Sequence, residues 1–230
     1  MASASKTAPN RGVIHPFDQK FGTDTGGYLG PEELVNGRPN DALNFGYSAI
    51  APSVFHEACR RWRETLSTVS GRVEAFSFVD VGAGKGRALL LAAELPFRKV
   101  IGVEISEELS RIAQRNVAIW SRIGRPKARI RVVQQDAAKF RWPRTPLLVY
   151  LYNPFECMLV AHVAENLAAV AASTSGLVDL LYVNPTCTDT LTSQGLFVRL
   201  WTARIPMDEA DQMADPYGTT SDLVSAYRLR

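Results

Sequence analysis

Phe76-Ser77-Phe78-Val79-Asp80-Val81-Gly82-Ala83-Gly84-Lys85-Gly86-Arg87 is the stretch whose reading decides the fold. Its first half is β-branched and aromatic, as a buried strand requires, and it runs into glycines at alternate positions. From Arg87 to Leu95 the chain is an apolar helical run, stopped by Pro96. A strand opening through glycines onto a helix turns tightly and lets bare backbone approach a ligand. It also leaves N–H groups unpaired at the helix start. Two familiar nucleotide loops do not fit. A phosphate loop needs GxxxxGK followed by Ser or Thr, and here Lys85 is followed by Gly86. A dinucleotide loop needs a small third residue for close helix–strand packing, and Arg87 takes that place.

Downstream, Val100 to Glu104, Ile130 to Val133, Leu147 to Tyr152 and Leu177 to Val183 read as further short strands. Ser106 begins a helix with Glu107 and Glu108 in its first turn, where carboxylates suit the helix dipole. Leu109, Ile112, Ala113, Val117 and Trp120 give that helix one apolar face. Glu156 to Ala172 is another helix, with Leu159, Val163, Leu167 and Val170 on one side. Continuous apolar strands separated by helices imply a parallel sheet covered on both faces. Leu196 to Ile205 and Leu223 to Leu229 then follow with only a Pro- and Asp-containing loop between them. Such a loop permits an antiparallel hairpin but no parallel crossover. The expected fold is α/β: a doubly wound, mostly parallel seven-stranded sheet with a C-terminal antiparallel hairpin and an N-terminal helical and loop cap.

Upstream, residues 1–10 are small and polar and read as a disordered lead-in rather than a signal peptide. Residues 11–70 do not join the alternation. They hold a glycine-rich loop, Phe21 to Tyr28, and the segment Tyr47 to Ser53. A helix starting near Ser53 has Val54, Phe55, Ala58, Trp62 and Leu66 on one face and Arg60, Arg61 and Arg63 on the other. We expect residues 11–70 to form a cap or lid on a sheet domain spanning 71–230.

With 46% hydrophobic and 21% charged residues, the chain is globular rather than disordered. No apolar run approaches the roughly 20 residues that span a bilayer, so no membrane partner is expected. A net charge of +3 falls short of the bias of a dedicated nucleic-acid binder. Arg111, Arg115, Arg122, Arg125, Lys127, Arg129 and Arg131 read as a solvated helix face and loop. Cys59, Cys157 and Cys187 are odd in number, far apart and match no zinc spacing. They suggest a reducing compartment, hence the cytoplasm, with no metal site, and Cys157 reads as a buried structural thiol.

The pattern Asp80-x-Gly82-x-Gly84-x-Gly86 resembles motif I of the seven-stranded class I S-adenosylmethionine-dependent methyltransferases. The resemblance runs from about Phe76 to the C-terminus and includes the closing hairpin. It implies S-adenosylmethionine as cofactor. Gly82, Ala83, Gly84 and Gly86 would lie along its amino-acid part, and Asp80 would place negative charge near its amino end. Glu104 ends the second strand about twenty residues past the loop, where a carboxylate can accept from both ribose hydroxyls. Asp136 follows the third strand, and in the family that acid commonly receives the adenine amino group. From its own residues Asp136 also reads as a helix N-cap. Ile105 and Ala137, next to these acids, complete the expected set.

Tyr150-Leu151-Tyr152-Asn153-Pro154-Phe155 is similar to the (Asn/Asp)-Pro-Pro-(Tyr/Phe) motif of amino-methylating enzymes, without its second proline. By that resemblance Asn153 would accept a hydrogen bond from the target nitrogen, or touch the cofactor, and Phe155 would pack against the target. The residues also permit Asn153 as a helix N-cap with Pro154 at the first helical position, and Asn184-Pro185 repeats the dipeptide. His56 and His162 lie in helices and suit packing or surface roles, and His15 is tied to no motif. The expected function is methyl transfer to nitrogen, with oxygen second. The acceptor is left open among protein lysine, a nucleobase amine and a small molecule. The alternatives are a module that binds the cofactor without turnover and an NAD-dependent oxidoreductase, which Arg87 disfavours.

Overall fold

The computed structural model describes residues 13–34, 46–153, 156–174, 176–192 and 195–230. The expected lead-in at 1–10 lies outside them. In chain order the elements are α1 (Pro16–Phe21), β1 (Tyr28–Leu29), β2 (Tyr47–Ser48), α2 (Pro52–Leu66), β3 (Ser77–Val81), α3 (Arg87–Ala92), β4 (Lys99–Glu104) and α4 (Glu107–Arg122). They continue with β5 (Ile130–Gln134), β6 (Leu147–Tyr152), α5 (Cys157–Thr174), β7 (Val178–Val183), α6 (Thr188–Thr192), β8 (Phe197–Pro206), α7 (Glu209–Ala214) and β9 (Ser221–Leu229). Strands β5-β4-β3-β6-β7-β9-β8 form one seven-stranded sheet. The first five run parallel, and β9 enters antiparallel between β7 and β8. This is the α/β architecture expected from the alternation. Strands β1 and β2 pair antiparallel in a sheet of their own.

The strands read as continuous apolar runs because both faces are covered. Phe78, Leu148, Leu181 and Val183 face a cluster built on α2 and α3, while Val79, Val81, Val149, Leu151 and Leu180 face α5. Trp62 of α2 is fully buried, and its indole N–H donates to Asp179 of β7 at 2.9 Å. Arg228 of β9 closes on the same carboxylate at 2.7 and 2.8 Å. A buried carboxylate is tolerated when its oxygens are met this way, and here it ties α2 to both strands.

Three details depart from expectation. Helix α3 stops at Ala92, with turns filling the space before Pro96. The connection between β8 and β9, expected as a bare loop, carries α7, whose N-terminus is capped by Asp208 accepting from the Asp211 N–H at 2.8 Å. Cys157, expected as a free buried thiol, is bonded to Cys187 in a disulfide between positions 30 apart in sequence. Only the chain path of α5 and β7 brings the two together. Among the described residues Cys59 is the free, buried thiol.

Residues 13–34 are sewn onto the glycine loop. Phe17 and Phe21 pack on Trp120 of α4, with ring centroids 5.5 and 4.9 Å away. Asp18 forms a buried ion pair with Arg87 at 3.1 Å and accepts from the Thr25 N–H and hydroxyl at 2.9 and 2.7 Å. Arg87 also donates to Thr25 Oγ1 at 2.7 Å. Its guanidinium is therefore drawn toward the N-terminal segment, where it has charge and acceptors to meet. Asn116 of α4 bonds both the N–H and C=O of Asp24, and Lys85 bonds the Asp24 carboxylate.

Candidate functional site

A cleft of about 950 Å³, its open mouth included, lies along the C-terminal ends of β3, β4, β5 and β6. Its floor carries Asp80, Gly82, Ala83, Gly84, Glu104, Ile105, Asp136 and Ala137, and its roof is Tyr47 to Ile50. Eight of the residues singled out from sequence thus meet in one concavity, because parallel strands deliver their C-terminal ends to one edge.

The loop takes its shape from three left-handed glycines, Gly82, Gly84 and Gly86, at φ 80°, 53° and 89°. At Gly84 the close approach comes from the protein itself. An added Cβ would lie 2.1 Å from a Tyr47 ring carbon. Tyr47 is fixed by its hydroxyl, which donates to Thr25 C=O at 2.6 Å. Gly86 does not line the cleft; it starts α3, where a Cβ would lie 3.2 Å from Ala113 Cβ.

The acids are held in different ways. Glu104 is buried, and its two oxygens accept from the Gly84 N–H at 2.7 Å and the Ser106 N–H at 2.8 Å. The carboxylate therefore braces the glycine loop against β4 while still facing the cleft. Asp136 caps a short 3-10 turn by accepting from the Ala138 N–H at 2.9 Å, so its N-cap role is present in the structure. Asp80 is buried, and burial together with the Glu104 charge pushes its carboxyl well above the ordinary carboxylate range. A cation beside it would reverse that balance.

Asn153 sits at the end of β6 but does not line the cleft. Its Oδ1 accepts from Thr186 at 2.8 Å and, more weakly, from Tyr182 at 3.4 Å. Its φ of 38° is left-handed, whereas an N-cap is extended, and α5 starts only at Cys157. The helix-cap alternative is thereby excluded. Asn184 repeats the conformation at φ 47°, so both Asn-Pro dipeptides end strands in the one non-glycine residue class that tolerates it well. Phe155 lies outside the described residues.

The histidines stay out of the cleft. His15 caps α1 through Nδ1, which accepts from the Phe17 N–H at 3.1 Å, and its Nε2 lies 3.1 Å from Asp211. Burial works to raise the Asp211 carboxyl, but bonds from His15 and Ser53 outweigh it and hold the group below its usual value. His56 meets Glu94 at 3.4 Å on the surface, and His162 is exposed on α5.

Sequence reading missed Ser48, Tyr150 and Tyr152 as cleft residues. The two tyrosines occupy alternate positions of β6, on the face that carries Asp80 in β3, and Tyr150 is register partner to Asp80. Two tyrosines at period 2 near the end of an otherwise aliphatic strand were the available signal.

Residues 78–174 match the family model of the methyltransferase domain. No curated protein matches the chain. Among solved structures, it is similar to a provisionally assigned RNA methyltransferase from Pyrococcus horikoshii (17% identity, 76% of this chain and 84% of that one, TM-score 0.48). It is also similar to magnesium protoporphyrin IX methyltransferase from Synechocystis PCC 6803 (14%, 76% and 80%, TM-score 0.48). A third is the N-methyltransferase NodS from Bradyrhizobium japonicum WM9 (14%, 76% and 96%, TM-score 0.48). Likenesses this distant leave the acceptor open.

Proposed function

We propose that this chain, whose residues 78–174 match the methyltransferase domain model, is a class I S-adenosylmethionine-dependent methyltransferase whose cleft holds S-adenosylmethionine and serves methyl transfer to a nitrogen acceptor. The observation that carries this reading is the convergence of Asp80, Glu104 and Asp136, from three adjacent strands, on one cleft roofed by Tyr47 to Ile50. When bound, the cofactor supplies an electrophilic methyl group on a sulfonium. Glu104 would hold the ribose hydroxyls, Asp136 the adenine amino group and Asp80 the ammonium. Such a ligand would run from β5 across β4 to β3, with its reactive end toward β6.

The protein's own contribution is placement. Tyr47 covers the loop at Gly84 and keeps water from that side of the cleft. We assign residues 11–70 the role of a cap on this site. Asn153, at the mouth end of β6 and fixed by Thr186, would mark where the acceptor arrives, with Phe155 beside it. Alignment of a lone pair with the methyl group is the principal demand of the displacement. A neutral amine needs no strong base to accept a methyl group, which favours nitrogen over oxygen. Protein lysine, a nucleobase amine and a small molecule remain the acceptor classes.

Isothermal titration with S-adenosylmethionine and S-adenosylhomocysteine tests the cofactor, and a labelled-methyl assay on protein, RNA and small-molecule fractions tests the acceptor. We expect both ligands to bind and label to enter one amine-bearing fraction. No binding by folded protein would sink the reading, and binding without transfer to any fraction would favour a cofactor-holding module.

A further inference from the structure

Among the described residues the Tyr150 phenol oxygen is buried without a hydrogen-bond partner and lines the cleft, and Ser48, which also lines it, has a buried Oγ that makes no well-formed hydrogen bond and has the Tyr152 hydroxyl beside it. They come from opposite sides. Ser48 is in β2 of the roof, and Tyr150 is in β6 of the floor. Tyr150 is 1% exposed, its ring packed between Phe55 and Phe78 with centroids 5.6 and 5.8 Å away. Burying a hydroxyl without a partner is disfavoured, and hydroxyls in native interiors are nearly always satisfied. One unmet phenol and one weakly met hydroxyl lining the same cleft point to a ligand that supplies what they lack.

The sheet says which part of the ligand meets them. Glu104 and Asp136 lie over β4 and β5, so the nucleoside belongs at that end. Tyr150 lies at the other end, in register with Asp80. An amino-acid group there presents an ammonium and a carboxylate together. Asp80 can answer only the ammonium. The carboxylate needs donors, and the guanidinium of Arg87, which also lines the cleft, is engaged with Asp18, Thr25 and the Ile50 C=O. Burial holds the Tyr150 phenol well above its ordinary value, so it stays an O–H donor.

We propose that the Ser48 and Tyr150 hydroxyls together seat the carboxylate of the cofactor's amino-acid end, making strand β2 part of the cofactor site. This rests on the cofactor reading above. It gives the N-terminal segment a direct role in holding the methyl donor, in addition to covering it.

The test compares S-adenosylhomocysteine with its decarboxylated analogue, which keeps the nucleoside, thioether and amine. Titration calorimetry is run on the full chain as wild type, Tyr150→Phe, Ser48→Ala and the double variant. Each single variant is expected to lose about tenfold in affinity for S-adenosylhomocysteine, as for a hydrogen bond to a charged group, and none for the analogue. Thermal melting provides a second readout. Because the Tyr150 hydroxyl has no partner among the described residues, Tyr150→Phe is expected to leave the melting temperature unchanged or raise it. Equal losses for both ligands, or none for either, would overturn the seat while leaving the cofactor in place. Failure of the wild type to bind either ligand would overturn the cofactor reading and the seat with it.

Discussion

Gly84 and Tyr47 form the tightest contact at the site, and it is open to a simple cycle of variants. Gly84→Ala introduces two faults, a Cβ 2.1 Å from the Tyr47 ring and a side chain at φ 53°. Together they are expected to cost about 2–5 kcal/mol in urea denaturation. In a Tyr47→Ala background the steric part disappears, and the cost of Gly84→Ala should fall to about 1–2 kcal/mol. Asp80 gives a pH-dependent prediction. Its folded value lies above the ordinary 3.8, through burial first and then Glu104. Folding therefore favours the protonated carboxyl, a contribution that is full below 3.8 and lost as pH rises through the folded value. An ammonium bound beside Asp80 favours the charged form, so binding should expel a proton in that window and tighten as pH rises. Calorimetry in two buffers of different ionisation enthalpy would detect the proton, and Asp80→Asn should abolish it.

At the scale of elements, the N-terminal segment is held by a charge pair that cannot lose one member cheaply. Asp18 and Arg87 are 4% and 3% exposed. Removing either alone should cost about 3–5 kcal/mol, whereas Asp18→Leu with Arg87→Met should cost less than the two singles combined. Hydrogen exchange locates the damage. The Thr25 N–H, bonded to Asp18 at 2.9 Å, should lose protection before the amides of β3. The disulfide acts on a different pair of elements, joining the start of α5 to the loop before α6. For a loop of about 30 residues the chain-entropy model gives about 3–4 kcal/mol, so a dithiol reductant should lower the melting temperature. Cys157→Ser should remove that sensitivity and Cys59→Ser should not.

For the whole molecule, the division at residue 70 is proposed as one of function. In folding, α2 belongs to the core. Phe55 and Trp62 are 1% and 0% exposed and pack on Phe78 and on Phe76 and Phe97. Deleting residues 1–70 would uncover one face of the sheet, at roughly 1.5–3 kcal/mol for each large apolar side chain exposed. The remainder, 71–230, is expected to aggregate or to bind a hydrophobic dye without a near-ultraviolet dichroism signal. A soluble, cooperatively melting 71–230 fragment would show that the cap is dispensable for folding.

The strands, their order of appearance and the glycine loop were legible in the sequence because each depends on local patterns: apolar runs, breakers and alternate glycines. Leu147 to Tyr152 was read to its residue, and Ser106 was read as a helix start. Asp80, Glu104 and Asp136 were legible as a set because parallel strands bring consecutive C-terminal ends to one edge. The rest depended on long-range contacts that no local pattern encodes. Arg87 was visible as an obstacle, but its partner Asp18 lies 69 positions away. Cys157 resembled a lone thiol until α5 and β7 brought Cys187 beside it. Tyr150 resembled core because a strand sequence does not say which of its hydroxyls finds a partner. The sequence by itself determined the sheet, the family pattern and the acids. Tertiary structure alone decided which residues of the expected cap roof the cleft, Tyr47 to Ile50, and that Ser48 and Tyr150 line it from opposite sides, the Tyr150 hydroxyl with no partner among the described residues.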